Sequence, residues 1–347
     1  MARSRTVRQA EAMTTFSAWW VEQGQDRTTT TRLRDDMTEA ELPEGEVLLD
    51  VDYSGINYKD ALAMTGAPGI LRHWPIVPGI DLVGRVRSST DPAWTVGSRV
   101  VLTGAGLGES RSGGLAERAR VPSSPLVAVP DGMGSLDAAG FGTAGVTAVA
   151  AVLAIERHGA RPSDGPVLVT GAGGGLGGIA VAALAARGWT VVASSGRAAT
   201  DADYLLSLGA AEVVGREPLA EHGKPLQRER WAAVVDGVGG RTLVNAIAQT
   251  RAGGIVTSCG MAGSTELPGT VLPFILRGVH LAGIDSVSLA LDVRRRVWDR
   301  LSRDVAPEAA SAVRRVVPLS GAEDAARLLL DGGVRGRTVI AVGGADR

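Results

Sequence analysis

The segment VLVTGAGGGLGG, residues 167–178, has the residue types and spacing to hold a diphosphate. A short apolar run ends at Thr170, and a helix-forming run, IAVAALAARG, follows, with its start expected at about Gly177. Between them Ala172-x-Gly174-x-x-Gly177 fits the G-x-G-x-x-G spacing with alanine in the first place, and Gly173, Gly175 and Leu176 fill the loop. Small residues let the chain turn sharply, let backbone amides approach a pyrophosphate and let the helix pack on the strand. The helix N-terminus then faces the negative charge. Five glycines among residues 171–177 leave the register open, and a plain tight turn between strand and helix is the alternative. The next strand, WTVVAS, runs into Ser195, Gly196 and Arg197. Folds that bind NAD place an acid there for the ribose 2′-hydroxyl. Hydroxyls and a guanidinium suit a 2′-phosphate instead. Arg216, just after the following strand, is expected to reach the same pocket. The cofactor read from these residues is NADP(H), against the alternative that both arginines are surface residues.

Metal chemistry finds little support. Cys259 is the single cysteine, and His73, His158, His222 and His280 show no ligand spacing, so no metal is expected. One cysteine excludes an internal disulfide framework and fits a reducing, cytoplasmic setting. With 36 basic and 37 acidic residues the net charge is −1, which argues against nucleic acid or an anionic membrane surface as partner. No apolar run of about 18 residues is read, so no transmembrane helix is expected. Lysine occurs only at Lys59 and Lys224, a chain-wide arginine bias that says little about function.

These residues need elements to position them. At 347 residues the chain has room for about two domains. Residues 1–12 carry three arginines without an apolar h-region and read as a poorly ordered extension. Residues 14–24 and 46–58 read as strands, with a polar, Pro-containing connection between them. A helix is expected near 58–64, then short β-like runs broken by Gly and Pro. The texture changes near residue 135. GSLDAAGFGTAGVTAVAAVLAIERHG reads as a helix, a Gly break and a second helix. Alternating strands and helices follow, which predict a parallel, doubly wound sheet. Helices near 292–304 and 321–332 and a final strand, TVIAV, complete the reading. The fold class is α/β.

Several stretches together resemble the medium-chain dehydrogenase/reductase superfamily, in the zinc-free, quinone-oxidoreductase-like branch that contains acryloyl-CoA reductase. They are SGINYKDALAMTG (54–66), PIVPGIDLVGRV (75–86), the glycine loop, SSGR (194–197), SLGAAEVV (207–214), AQTRAGG (248–254) and VLPFILRGVHLAGIDSV (271–287). The named stretches run from residue 54 to 287, and the resemblance extends over about 46 to 338.

The resemblance implies a GroES-like, partly β-barrel catalytic domain from 13–137 and 288–347, with a Rossmann NADP-binding domain at 138–287. It implies NADPH-dependent hydride transfer to the β-carbon of an α,β-unsaturated carbonyl, with an enoyl thioester such as acryloyl-CoA the family substrate, and a homodimer. PGID stands where zinc enzymes carry Gly-His-Glu. Asn57, Tyr58 and Asp60 fall where the superfamily lines its active site. Tyr58 is the best donor by type, because a phenol can hydrogen-bond an oxyanion. Asn57 and Asp60 can equally fix the turn into the helix. Thr147, Met261, Ile275 and Ser286 match cofactor-lining positions, and Asp331 stands where the family has an asparagine contact. Arg72, His73, Arg277 and Arg294 to Arg296 are candidates for the phosphates of an acyl-CoA, with a solvated charged face the better account of Arg294 to Arg296. A reductase for another enoyl compound or a quinone, and an NADPH-binding regulatory protein without turnover, remain the alternatives.

Overall fold

Residues 14–343 are described by the structure, a computed structural model, and the extension expected at 1–12 lies outside the described residues. The chain opens with an antiparallel hairpin, β1 (Phe16–Gln23) and β2 (Thr29–Met37). β2 occupies the polar stretch in which no strand was expected. Of its residues only Met37 is buried, so hydrophobic alternation carries no signal there. Next come β3 (Val47–Ile56), α1 (Tyr58–Met64), β4 (Asp81–Ser89), β5 (Arg99–Thr103), β6 (Arg118–Val121) and β7 (Val127–Ala128).

The helix α2 (Ser135–His158) crosses from this part of the molecule into the next. It breaks at Gly142, whose φ of 48° and ψ of −150° lie outside the helical region, as the glycine-interrupted pattern led one to expect. By length and composition α2 could cross a bilayer, which corrects the reading that no such run exists. Most of it is buried inside the fold, and it serves as a core helix.

The second part is a run of βα units: β8 (Val167–Thr170), α3 (Gly175–Ala186), β9 (Val191–Ser195), α4 (Ala198–Ser207), β10 (Glu212–Gly215), α5 (Glu217–Ala220), β11 (Trp231–Asp236), α6 (Gly240–Gln249), β12 (Thr250–Ser258), α7 (Leu272–Arg277) and β13 (His280–Gly283). Its strands form a six-stranded parallel sheet in the order β10-β9-β8-β11-β12-β13. Alternate residues feed two cores. Val167 and Val169 of β8 face α2 and α3, while Leu168 joins Val192, Val234 and Val256 on the opposite side. A parallel sheet buried on both faces is built from such strands.

After α8 (Leu291–Asp304) and α9 (Pro307–Ala312), the chain returns to the first sheet through β14 (Arg314–Pro318), α10 (Ala322–Leu330) and β15 (Arg337–Ala341). β15 pairs antiparallel with β3, and the larger sheet runs β14-β15-β3-β4-β5-β7, with β6 also on β3. The larger sheet thus draws on both ends of the chain. Residue 138 falls inside α2, and Val297, Trp298 and Leu301 of α8 pack into the core that holds α2, α3 and residues of the larger sheet such as Val83 and Val101. After β7 the larger sheet resumes at β14.

Candidate active site

The glycine loop is shaped by close approach. Gly171 makes the turn with φ of 63°, and a Cβ on Gly177 would lie 2.6 Å from Ala172 Cα. Ala172 is fully buried, so it packs the turn and does not make it. α3 begins at Gly175, two residues before the expected start, with Gly174 as its N-cap. The amides of Gly175, Leu176 and Gly177 therefore have no carbonyl in their own helix. They form a ready anion cradle beside Gly173. The loop leans on the catalytic domain. Gly336 donates its N–H to Gly173 O at 2.9 Å, and a Cβ on Gly175 would collide with the Arg337 side chain.

At the end of β9 the expected residues are bonded to their neighbours. Ser195 Oγ donates to Asp201 Oδ2 at 2.8 Å and accepts the Arg197 N–H at 3.1 Å, so its proton is already taken. The Arg197 guanidinium donates to the Gly332 carbonyl and, at 2.9 Å, to the Val334 carbonyl, and it lies 3.6 Å from Asp201. Its first work is to hold the 332–334 loop. Arg216 is the cation left at the strand end. It lies over Gly196, where a Cβ would meet its Cδ at 3.1 Å, and it forms no ion pair among the described residues.

The NYKD segment caps α1. Asp60 accepts the Asn57 N–H at 2.8 Å and the Ile80 N–H at 2.8 Å. The Asn57 side-chain amide bridges two carboxylates, donating to Asp60 at 3.0 Å and Asp81 at 2.8 Å, while its oxygen accepts from Arg337 at 2.6 Å. Asp81 also accepts from Arg337 Nη2 at 2.9 Å and from the Thr143 N–H and hydroxyl at 2.9 and 2.5 Å. Burial, reinforced by the neighbouring Asp81 charge, pushes the Asp60 carboxyl up to about 7. Asn57 thus has no N–H left for a substrate, and Asp60 is fully buried. The geometry makes both of them supports of the α1 start.

The network continues into the cofactor domain. The Thr147 hydroxyl donates to Thr143 O at 2.7 Å and pairs with Ser286 Oγ at 2.8 Å, so these two expected cofactor-lining residues meet across 139 positions. Tyr58, on the first turn of α1, is 43% exposed, and its hydroxyl has no hydrogen-bond partner among the described residues. Met261 is half-exposed just after β12. Ile275 is 68% exposed on α7, four residues after the exposed Val271.

The residues missed from sequence are Asp81, Thr143 and Arg337. Asp81 stood inside a motif already noticed, but nothing local marks Arg337, whose burial depends on pairing with residues far away in the chain. Two of the arginines expected to meet phosphate are bonded to backbone carbonyls. Arg294 is buried, donating to the Thr103 and Val287 carbonyls at 2.5 and 3.0 Å, and Arg277 donates to the Ala248 and Gln227 carbonyls.

Comparison with known proteins agrees with this architecture. Residues 43–131 match the alcohol dehydrogenase GroES-like domain, and residues 175–303 match the zinc-binding dehydrogenase family. The chain is 43% identical over 328 residues to the acrylyl-CoA reductase AcuI of Ruegeria pomeroyi, covering 94% of this chain and 99% of that protein. It is similar to the yhdH oxidoreductase of Salmonella enterica solved with NADP, with a TM-score of 0.91 and 44% identity over 94% of this chain and all of that one. It is also similar to Bacillus subtilis yhfP solved with NAD, with a TM-score of 0.90 and 42% identity over 95% of this chain and all of that one.

One family description names zinc, and the donors here do not fit it. Among the described residues no three His, Cys, Asp or Glu side chains converge. Burial pushes the Cys259 thiol up to about 12, with only Thr257 in reach, and Asp81 is held by Arg337, Asn57 and Thr143. For a dinucleotide the glycine cradle and the free Arg216 do fit.

Proposed function

Because this chain belongs to the medium-chain dehydrogenase/reductase superfamily, in its quinone-oxidoreductase-like branch, we propose that it is an NADPH-dependent, metal-independent reductase of activated C=C bonds, with a short enoyl thioester such as acryloyl-CoA as its substrate. The observation that carries the reading is a contact between the two sheets' parts of the chain: the glycine cradle rests directly on Gly336 and Arg337, and Arg337 in turn holds Asn57 beside Tyr58.

When bound, the reduced nicotinamide supplies a hydride for the β-carbon of the substrate. The protein's part is binding, orientation and polarisation. The amides of Gly175, Leu176 and Gly177 hold the diphosphate, and Arg216 over Gly196 takes the 2′-phosphate, which favours NADPH over NADH. Thr147 and Ser286 fix the wall where α2 meets the segment after β13. Tyr58 would offer its phenol to the thioester oxygen, holding the negative charge that develops there, and a proton taken from solvent water at the α-carbon would complete the reduction. The buried network of Arg337, Asp81, Asn57 and Asp60 fixes the backbone from which Tyr58 projects.

The partner in this reading is a second copy of the chain. β13 is an edge strand, and Leu267, Val271, Ile275 and Leu276, in the segment that leads into it, are each at least half exposed. An edge strand and several exposed apolar residues in one segment support an interface.

The test is NADPH oxidation across a panel of enoyl thioesters and quinones, with cofactor binding titrated alongside. NADPH deuterated at the transferable C4 position should leave deuterium on the β-carbon of the product, and exhaustive chelation should leave the rate unchanged. Turnover of quinones alone would overturn the substrate class, and binding without any turnover would overturn the enzyme.

A further inference from the structure

Two arginines are buried among the described residues, Arg337 at 4% and Arg294 at 3% exposure. Arg337 has Asp81 as its counter-ion, but Arg294 forms no ion pair among the described residues. A buried charge is ordinarily paired, because a lone one loses its hydration without return. Burial alone pulls the Arg294 guanidinium below its ordinary value. Arg294 is also the fourth residue of α8, at the helix end whose dipole disfavours a cation. Stability alone gives no reason for an arginine in such a place.

Its hydrogen bonds join two distant segments. Nη1 donates to the Thr103 carbonyl at 2.5 Å and to the Thr103 hydroxyl at 3.0 Å, and Nη2 donates to the Val287 carbonyl at 3.0 Å. Thr103 ends β5 in the larger sheet, and Val287 follows β13 in the parallel sheet. The two segments also touch, since a Cβ on Gly104 would lie 3.2 Å from Val287 Cα. Asp285 accepts the Val287 and Ser288 N–H groups at 2.9 and 3.1 Å, which fixes the turn.

A bonded path leads from each end of this staple to the candidate site. Ser286, next to Val287, pairs with Thr147 at 2.8 Å. On the other side Gly104 O accepts the Leu107 N–H at 3.0 Å, Gly106 O accepts the Glu109 N–H at 3.2 Å, and the Glu109 carboxylate accepts from Lys59 Nζ at 2.7 Å. Lys59 is the neighbour of Tyr58 in the first turn of α1.

We propose that Arg294 is a positioning residue for hydride transfer: by joining Thr103 to Val287 it sets the Thr147 and Ser286 pair, beside the nicotinamide, against Tyr58, beside the carbonyl of the acceptor. The proposal rests on the function given above. A planar guanidinium carries its donors in a fixed fork that reaches both segments at once, and a lysine ammonium does not reproduce that fork. Small displacements of reacting groups cost up to about 100-fold in rate.

Arg294→Lys, assayed with NADPH and whichever acceptor the wild type reduces, should lower kcat per NADPH-binding site roughly 10–100-fold, with KM little changed. Glu109→Gln, farther along the loop, should lower kcat in the same direction, and the double variant should lose less than the product of the two losses. A purely structural arginine would lower the melting temperature and the fraction of protein that binds NADPH, and leave kcat per site unchanged. That result overturns the proposal, as does a higher KM at unchanged kcat, or losses that multiply in full in the double variant. If Arg294→Lys fails to fold, Thr103→Val removes one of the acceptors at nearly constant volume. Lower kcat at unchanged KM then supports the positioning role, and unchanged kcat overturns it. Wild-type protein that reduces no enoyl thioester or quinone overturns the proposed function itself.

Discussion

Arg337 donates to Asp81 at 2.9 Å with both side chains less than 5% exposed, joining residues 256 positions apart. The pair fills the notch left by Gly142, where any Cβ would collide with both side chains. Breaking a buried pair on one side leaves an uncompensated charge, which costs about 3–5 kcal/mol. Arg337→Met should lower stability by that amount in urea unfolding. Adding Asp81→Asn should recover part of the loss. Full additivity of the two substitutions would show that they do not act as a pair.

The two arginines near β9 should separate cleanly. Arg216→Ala should weaken NADPH by about 1–3 kcal/mol, the range for a hydrogen bond to a charged group, and leave NADH unchanged. Arg197→Ala should weaken both cofactors, because it releases the 332–334 loop that borders the cradle. Fluorescence titration of each variant with each cofactor measures the difference. A purely NADPH-selective loss in Arg197→Ala would return the 2′-phosphate to that residue.

Asp60 makes stability depend on pH. Its carboxyl is raised from an ordinary 3.8 to about 7 in the fold, first by burial and then by Asp81. The folded state therefore holds this proton more tightly than the unfolded chain. The resulting stabilisation is fully present below pH 3.8 and is lost as pH rises through about 7. Asp60→Asn should flatten the stability profile across that window. Thermal unfolding of both proteins at several pH values checks it, and an unchanged slope would exclude Asp60 as its source.

Tyr58→Phe keeps the ring and removes the hydroxyl. If the phenol meets the developing charge, kcat should fall roughly 10–1,000-fold, the range for one such donor, with KM little changed. Steady-state kinetics on acryloyl-CoA measures it. A variant with wild-type kcat would leave Tyr58 as a shaping residue only.

Much of the cofactor domain was legible because its signals are local. A buried strand, a run of small residues and an apolar helix stand side by side at 167–186, and the expected Gly break inside α2 is Gly142. What stayed hidden depends on distant partners or lacks hydrophobic period. β2 is mostly exposed and polar, and β14 alternates between half-buried and exposed residues, so neither shows the pattern of a buried face. The hydroxyl proton of Ser195 looked available until Asp201, six residues later, was seen to take it. Arg337 reads as one more arginine in an arginine-rich chain until β15 is laid against β3.

That last pairing has a consequence for synthesis. Chains emerge from the ribosome amino terminus first, and domains fold as units when their parts are available. Strands β8 to β13 are consecutive, so the dinucleotide domain can assemble while the chain is still growing. The catalytic sheet cannot. β3 must keep one edge open until β15 has been made, and Asp81 must wait for its cation over the same interval. A nascent chain stalled before β15 would carry a folded cofactor domain beside an unfinished sheet, with an open strand edge available for pairing with other chains.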